Sequence, residues 1–211
     1  MICPWCYIGK RRFEAALDAF EHRDEVRVIA RSFELDPSAP RSLEVDGITR
    51  LAEKYGVSVE QARAMEQNIV DLAAAEGLEL RFDIARRGNT FDAHRLLHLA
   101  AERGLQWELK ERLMRGYFTE GVAIGERAAL EPLASEVGLP PEDVWAVLDS
   151  ERYGEDVRED ERTAAAFGIS GVPFFVVDRS LGISGAQPPE VLGELLRRGW
   201  SAAQQSSGVP A

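Results

Sequence analysis

The chain is poor in the residues that staple a fold or bind a soft metal: its 211 residues include two cysteines, three histidines and three methionines. Two cysteines make one disulfide at most, so the fold is no disulfide scaffold and a second redox pair is excluded. Four-coordinate zinc would need further ligands beside the cysteines, and only His22, His94 and His98 are on offer. His94 and His98 stand four apart on one helical face, but no third ligand is evident, so no metal is expected. No apolar run approaches the roughly 18 residues that cross a bilayer. The first residues also lack the charged-then-apolar layout of a secretory signal. Basic residues are outnumbered, 25 Lys and Arg against 36 Asp and Glu, for a net charge of -11. No basic cluster reverses that balance, so a phosphate backbone is repelled. The expected location is cytoplasmic, with neither a nucleic acid nor a membrane as partner.

The remaining composition, 45% hydrophobic and 29% charged, is that of an ordinary globular chain long enough to bury a sizeable core. Both cysteines fall in one motif, Cys3-Pro4-Trp5-Cys6, which runs into a helical pattern of Ile8, Phe13, Ala16, Leu17 and Phe20. This helix is expected to end near His22 or Arg23. Pro4 suits its first turn, where a missing N–H has no intrahelical partner to lose, so Cys3 falls at or beside the N-cap. There its sulfur can accept from the N–H of Trp5 or Cys6 and feels the positive end of the helix dipole. Both effects favour thiolate, and cysteines so placed have pKa values of about 3.5–7.5 against about 8.5 for a free thiol. Cys3 is therefore the candidate nucleophile. Cys6, one turn further in and expected to be the less exposed, is the candidate to resolve a mixed disulfide. Two buried structural thiols are the plainer alternative, and Pro4 between them argues against it.

Residues 26–35 are β-branched and aromatic and read as a buried strand stopped by Asp36-Pro37. A loop over 38–46 leads into a helical block, with helices expected over 48–55, 58–75, 90–103, 106–119, 127–137 and 141–148. Glycines at 56, 77, 104, 121 and 138 punctuate it at C-terminal positions. A further helix at 155–167, strands at 174–177 and 181–184 joined by Asp178-Arg179-Ser180, and a helix at 189–198 complete the pattern. Val191, Leu192, Leu195 and Leu196 mark the buried side of that last helix, and the polar residues from Ser201 onward read as a frayed tail. Trp107, Trp145, Tyr117 and Phe118 read as core, whereas Trp5, between the cysteines, should be partly exposed.

A second motif is Gly168-Ile169-Ser170-Gly171-Val172-Pro173-Phe174-Phe175. Proline donates nothing to a ladder, so Pro173 belongs at the first residue of a strand or at a sharp bend. A plain turn before a strand would satisfy this as well.

Taken together, the motifs resemble the DsbA family and its FrnE-like cytoplasmic branch. The opening Cys3-Pro4-Trp5-Cys6-Tyr7-Ile8-Gly9-Lys10-Arg11 carries the resemblance, followed by Phe33-Glu34-Leu35-Asp36-Pro37 and Asn89-Thr90-Phe91-Asp92-Ala93-His94-Arg95. Tyr117-Phe118-Thr119-Glu120-Gly121, Val172-Pro173-Phe174-Phe175 and Gly182-Ile183-Ser184-Gly185-Ala186-Gln187-Pro188 continue it in order along nearly the whole chain. The resemblance implies an α/β thioredoxin-like fold with a large all-helical insertion. The discontinuous thioredoxin-like domain would comprise 1–40 and 160–200, the insertion 41–159 and a flexible tail 201–211. The strand that precedes the C-x-x-C in that fold has no room before Cys3, so the first sheet strand is expected to be missing from the N-terminus.

For function, the resemblance implies a thiol-disulfide oxidoreductase acting on thiol- or disulfide-bearing proteins, with Cys3 attacking and Cys6 resolving. Pro4, Trp5, Val172 and Pro173 would meet the substrate, and the Val172-Pro173 bond would be cis. No cofactor would be bound beyond the redox-active disulfide, with glutathione as a thiol co-substrate. Related kappa-class glutathione transferases and 2-hydroxychromene-2-carboxylate isomerases typically carry serine at the first motif position. Cys3 there favours dithiol exchange over that second reading. A third is a non-catalytic thioredoxin-fold module or holdase that binds extended chains.

Overall fold

The computed structural model describes residues 1–43 and 47–207. The loop expected at 44–46 and the tail at 208–211 lie outside the described residues. The chain divides into two compact units, Cys3–Val28 with the residues from Gly171 onward, and Met1–Ile2 with Ile29–Ser170. The described residues form nine α-helices and one two-stranded sheet, and no strand precedes the first helix.

The first unit is built on α1 (Pro4–Asp18), which buries Tyr7, Ile8, Phe13 and Ala16. It ends sooner than the apolar pattern suggests. Beyond it Phe20 and His22 join an aromatic cluster in which His22 stacks on Trp200 with centroids 4.0 Å apart, and Arg23–Glu25 form a single 3-10 turn. Trp200 lies on α9 (Pro189–Ser207), which packs along α1. The tail expected from Ser201 is thus helical through Ser207. Its alanines and glutamines are compatible with helix, and Ser201 Oγ donates to the Arg197 carbonyl at 3.0 Å. Leu192, Leu195 and Leu196 are buried as expected, but Val191 is exposed, one position off the stripe that continues to Gly199. At Gly199 α9 approaches the sheet so closely that a Cβ would lie 2.3 Å from Val177 Cγ1.

The sheet is the hairpin of β1 (Phe174–Val177) and β2 (Leu181–Ser184), both at the expected residues, with Phe175 opposite Ile183 and Val177 opposite Leu181. Asp178 and Arg179 turn it in the left-handed region, with φ of 48° and 57°. Phe175 stacks on Phe13 of α1 at 5.3 Å, joining hairpin to helix. On the other face the Phe174 ring covers Gly182, where a Cβ would meet it at 2.7 Å.

The second unit is helical: α2 (Gly47–Tyr55), α3 (Val59–Ala75), α4 (Phe91–Glu102), α5 (Gln106–Phe118), α6 (Arg127–Glu136), α7 (Pro141–Leu148) and α8 (Gly154–Ala166). All lie within a residue or two of the sequence expectation. Local signals explain the match: Ser58 and Gln61 close a capping box on α3, and all five punctuating glycines take positive φ. Helix α4 is the centre, packed by α5, α6, α7 and α8. Its Arg95 is buried and binds the chain leaving α7, donating to the carbonyls of Val147, Ser150 and Arg152 and to Asp92 Oδ1.

The segment 26–35 is not a strand among the described residues. A ladder needs a neighbouring backbone, and side chains take that place here. The Gln106 amide accepts from Ala30 N–H and donates to Ala30 C=O, each at 2.9 Å. Asp160 accepts from Ser32 N–H at 2.8 Å, and Glu161 accepts from Glu34 N–H at 3.3 Å. These partners stand on α5 and α8, so residues 29–40 and 160–170 pack with the helices. The division falls after Val28 and Ser170, where the sequence suggested 40 and 159. No helix among the described residues is long and apolar enough to cross a membrane.

Candidate active site

Cys3 is the N-cap of α1, with φ -95° and ψ 116°, and Pro4 occupies the first turn. Its carbonyl accepts from Cys6 N–H at 3.1 Å, which starts the helix and sets the two thiols one turn apart. Neither cysteine is in a disulfide, so this is the dithiol form. Their exposure is the reverse of the expectation: Cys3 is buried at 7%, and Cys6 is half-buried. The physical reason is a neighbour remote in sequence. The Val172 carbonyl covers Cys3, whose thiol donates to it at 3.5 Å.

The Val172-Pro173 peptide is cis, as the resemblance implied. Pro173 leads directly into β1, and its carbonyl accepts from Gly185 N–H at 2.9 Å. Trp5 is exposed at 37%, on the surface beside the thiols. The fold therefore brings Cys3, Cys6, Val172 and Pro173 together in one unit.

The electrostatics of the pair favour an ionised Cys3. The Cys6 thiol, as hydrogen-bond donor, has the largest effect and lowers the Cys3 pKa; burial opposes it, and the N–H groups of Cys6 and Trp5 add to the lowering. The outcome is a Cys3 pKa of about 6. In the thiol form the sulfur makes no capping bond, so these donors act as charge appears on it.

The other sequence candidates belong to the helical unit. His94 is buried, and His98 Nε2 lies 3.1 Å from Ser32 Oγ and 3.3 Å from Asp160 Oδ2. Both contacts use the same ring nitrogen, so this trio has no relay geometry. Among the described residues no group of three metal-ligating side chains assembles. Tyr117 and Phe118 are core, but Trp145, expected there, is exposed because it falls outside the buried stripe of Val144, Val147 and Leu148. Two shallow grooves of about 310 and 420 Å³ run along α9 and β2 and include neither cysteine nor Pro173.

Three further residues border the site, two of them within the motifs that carry the resemblance but without a site role there. Gly9 faces Pro173, Ala186 lies against Gly9, and Arg12 Nη1 donates to the Ala186 carbonyl at 2.7 Å. The available signal was the spacing Cys3, Cys6, Gly9, Arg12, every third residue on one helix.

A helix-capping dithiol covered by a cis-proline turn that opens an antiparallel hairpin is the arrangement of a thioredoxin-type redox domain. The chain belongs to the DSBA-like thioredoxin domain family, which matches residues 1–197. Its structure is similar to that of the probable DsbA oxidoreductase SCO1869 from Streptomyces coelicolor, at 50% sequence identity and a TM-score of 0.89, covering 94% of this chain and 86% of that one. It is also 28% identical over 192 residues to the uncharacterized protein YwbO of Bacillus subtilis (strain 168), covering 90% of this chain and 88% of the relative.

Proposed function

We propose that this chain is a thiol-disulfide oxidoreductase exchanging disulfides with protein or small-thiol substrates through Cys3 and Cys6. The observation that carries the reading is a Cys3 sulfur with pKa about 6, held at a helix N-terminus with Cys6 as its donor. At neutral pH most of it is thiolate, the nucleophilic form. Cys3 attacks one sulfur of a substrate disulfide, forming a mixed disulfide and releasing the other substrate sulfur as a thiolate. Cys6 then loses its proton and attacks Cys3, closing the Cys3-Cys6 disulfide and releasing the second substrate thiolate. Two electrons pass to the substrate, and two protons complete its thiols. The reverse sequence oxidises a substrate dithiol, and a stabilised Cys3 thiolate is a good leaving group in that direction. Pro4, Trp5 and the Val172-Pro173 turn border the sulfurs and would receive the substrate chain, with glutathione as the small thiol that resets the pair.

The test is insulin reduction and oxidative refolding of a reduced, denatured substrate. Wild type is expected to be active in at least one assay, and Cys3→Ser should fall to background in both. Wild type inactive in every redox buffer tried would overturn the reading.

A further inference from the structure

Helix α1 carries Cys3, Cys6, Gly9 and Arg12 at every third residue, and the last two touch the turn that covers the first. Gly9 leaves no gap: a Cβ there would lie 3.1 Å from Pro173 Cγ and 3.5 Å from Ala186 Cα. One turn on, the Arg12 guanidinium donates to the Ala186 carbonyl at 2.7 Å. The bend between them is held from both ends. Gly185, at φ +86°, donates its N–H to the Pro173 carbonyl at 2.9 Å, and Gln187 Nε2 donates to the Ser184 carbonyl at 2.8 Å. The contacts form one chain, from Arg12 to Ala186, from Gly185 to Pro173, and from Val172 C=O to Cys3 at 3.5 Å.

We propose that Arg12 and Gly9 are positioning residues that set how closely the Val172 carbonyl approaches the Cys3 sulfur, and so tune the thiol-thiolate balance of the nucleophile. The proposal rests on the dithiol reading above for its purpose, not for its geometry. A carbonyl oxygen facing a sulfur accepts from the thiol and repels the thiolate. Because α1 carries both Cys3 and the clamp, anything that eases the turn off α1 also draws Val172 C=O away from Cys3. Two changes do this independently. Arg12→Met removes the grip on Ala186, and Gly9→Ala presses a methyl on Pro173, which must give by a few tenths of an ångström. Both should lower the Cys3 titration midpoint.

The experiment measures the pH dependence of iodoacetamide alkylation of Cys3 in the reduced full chain, read by mass spectrometry of the Cys3 peptide. Arg12→Met and Gly9→Ala should each lower the midpoint by about half to one pH unit, the size expected for one neutral hydrogen bond. Arg12→Lys, which can still donate to Ala186, should restore most of the wild-type value. Gly199→Ala, which collides with Val177 away from the turn, should lower the melting temperature and leave the midpoint in place. An unchanged or raised midpoint in folded Arg12→Met would overturn the proposal. If that variant does not fold, Gly9→Ala decides on the same criterion. Loss of the oxidoreductase reading looks different: wild type would then fail in insulin reduction and refolding while the midpoint shifts persisted.

Discussion

Burial alone would raise the pKa of the Cys3 sulfur, since a thiolate is poorly solvated away from water. The Cys6 thiol has the greater influence, followed at the same sulfur by the first backbone N–H groups of α1, so the value settles at about 6. In the proposed exchange Cys6 thus has two tasks, closing the disulfide and holding the charge of its partner before it attacks. The second can be isolated. Cys6→Ala keeps the helix and the Val172 contact but removes the largest stabilising donor. The Cys3 alkylation midpoint should move from about 6 toward the ordinary thiol value of about 8.5. A midpoint that stays near 6 would assign the effect to the helix terminus alone. The lowered value also has a linkage sign. Ionisation of Cys3 stabilises the folded dithiol form fully above the unfolded thiol pKa, and this contribution is lost as pH falls through about 6.

The segment over 29–35 shows how side chains can hold a backbone where a strand's usual partner is missing. One amide, Gln106, replaces a strand by pairing with both backbone groups of Ala30, and two carboxylates on α8 accept from Ser32 and Glu34. Gln106→Leu keeps much of the volume but leaves the N–H and C=O of Ala30 without that partner. It should cost roughly 1–3 kcal/mol, read by chemical denaturation, with faster amide exchange at Ala30 as the local signature. A stability change under about 0.5 kcal/mol would mean that water replaces the amide at little cost. The same segment marks the limit of what the sequence could reveal. Helices α2 to α8 and the hairpin were legible because their signals are local: a capping box at Ser58, left-handed glycines, an apolar residue every third or fourth position. The character of 26–35 was not, because β-branched residues state a preference for extension while pairing depends on what lies beside them. The site divides in the same way. Its cysteines and the Val172-Pro173 turn are visible in short motifs, whereas the burial of Cys3 and the reach of Arg12 to Ala186 depend on residues more than 160 positions away.

Acid should act on the helical unit through two groups of opposite chemistry and the same sign. His94 is buried in α4, its ring nitrogens lack hydrogen bonds of good geometry, and burial holds its pKa well below the ordinary imidazole range, with Lys110 among the charges that add to the lowering. A depressed folded pKa means that the unfolded chain binds the extra proton. Stability is therefore full above about 6.5 and is lost as pH falls below it. Asp160 is pushed up by burial, but the His98 hydrogen bond, Ser32 N–H and the Arg31 charge outweigh that and leave it below the ordinary carboxylate range. Its contribution is full above about 3.9 and disappears as pH falls through the lower folded value. Glu34 opposes both: burial raises its pKa despite Arg158, so it takes a proton early and favours the folded state as pH falls. The windows separate the two acid-sensitive groups. His94→Leu should flatten the stability profile from about pH 6.5 downward, and Asp160→Asn should flatten only the limb below about pH 4. Urea midpoints measured every half unit from pH 8 to 3 give the profile, and amide exchange locates it. Protection in α4 and α8 should decline before protection in α1 and α9. If the slope that begins below about pH 6.5 survives in His94→Leu, then the buried imidazole is not its source.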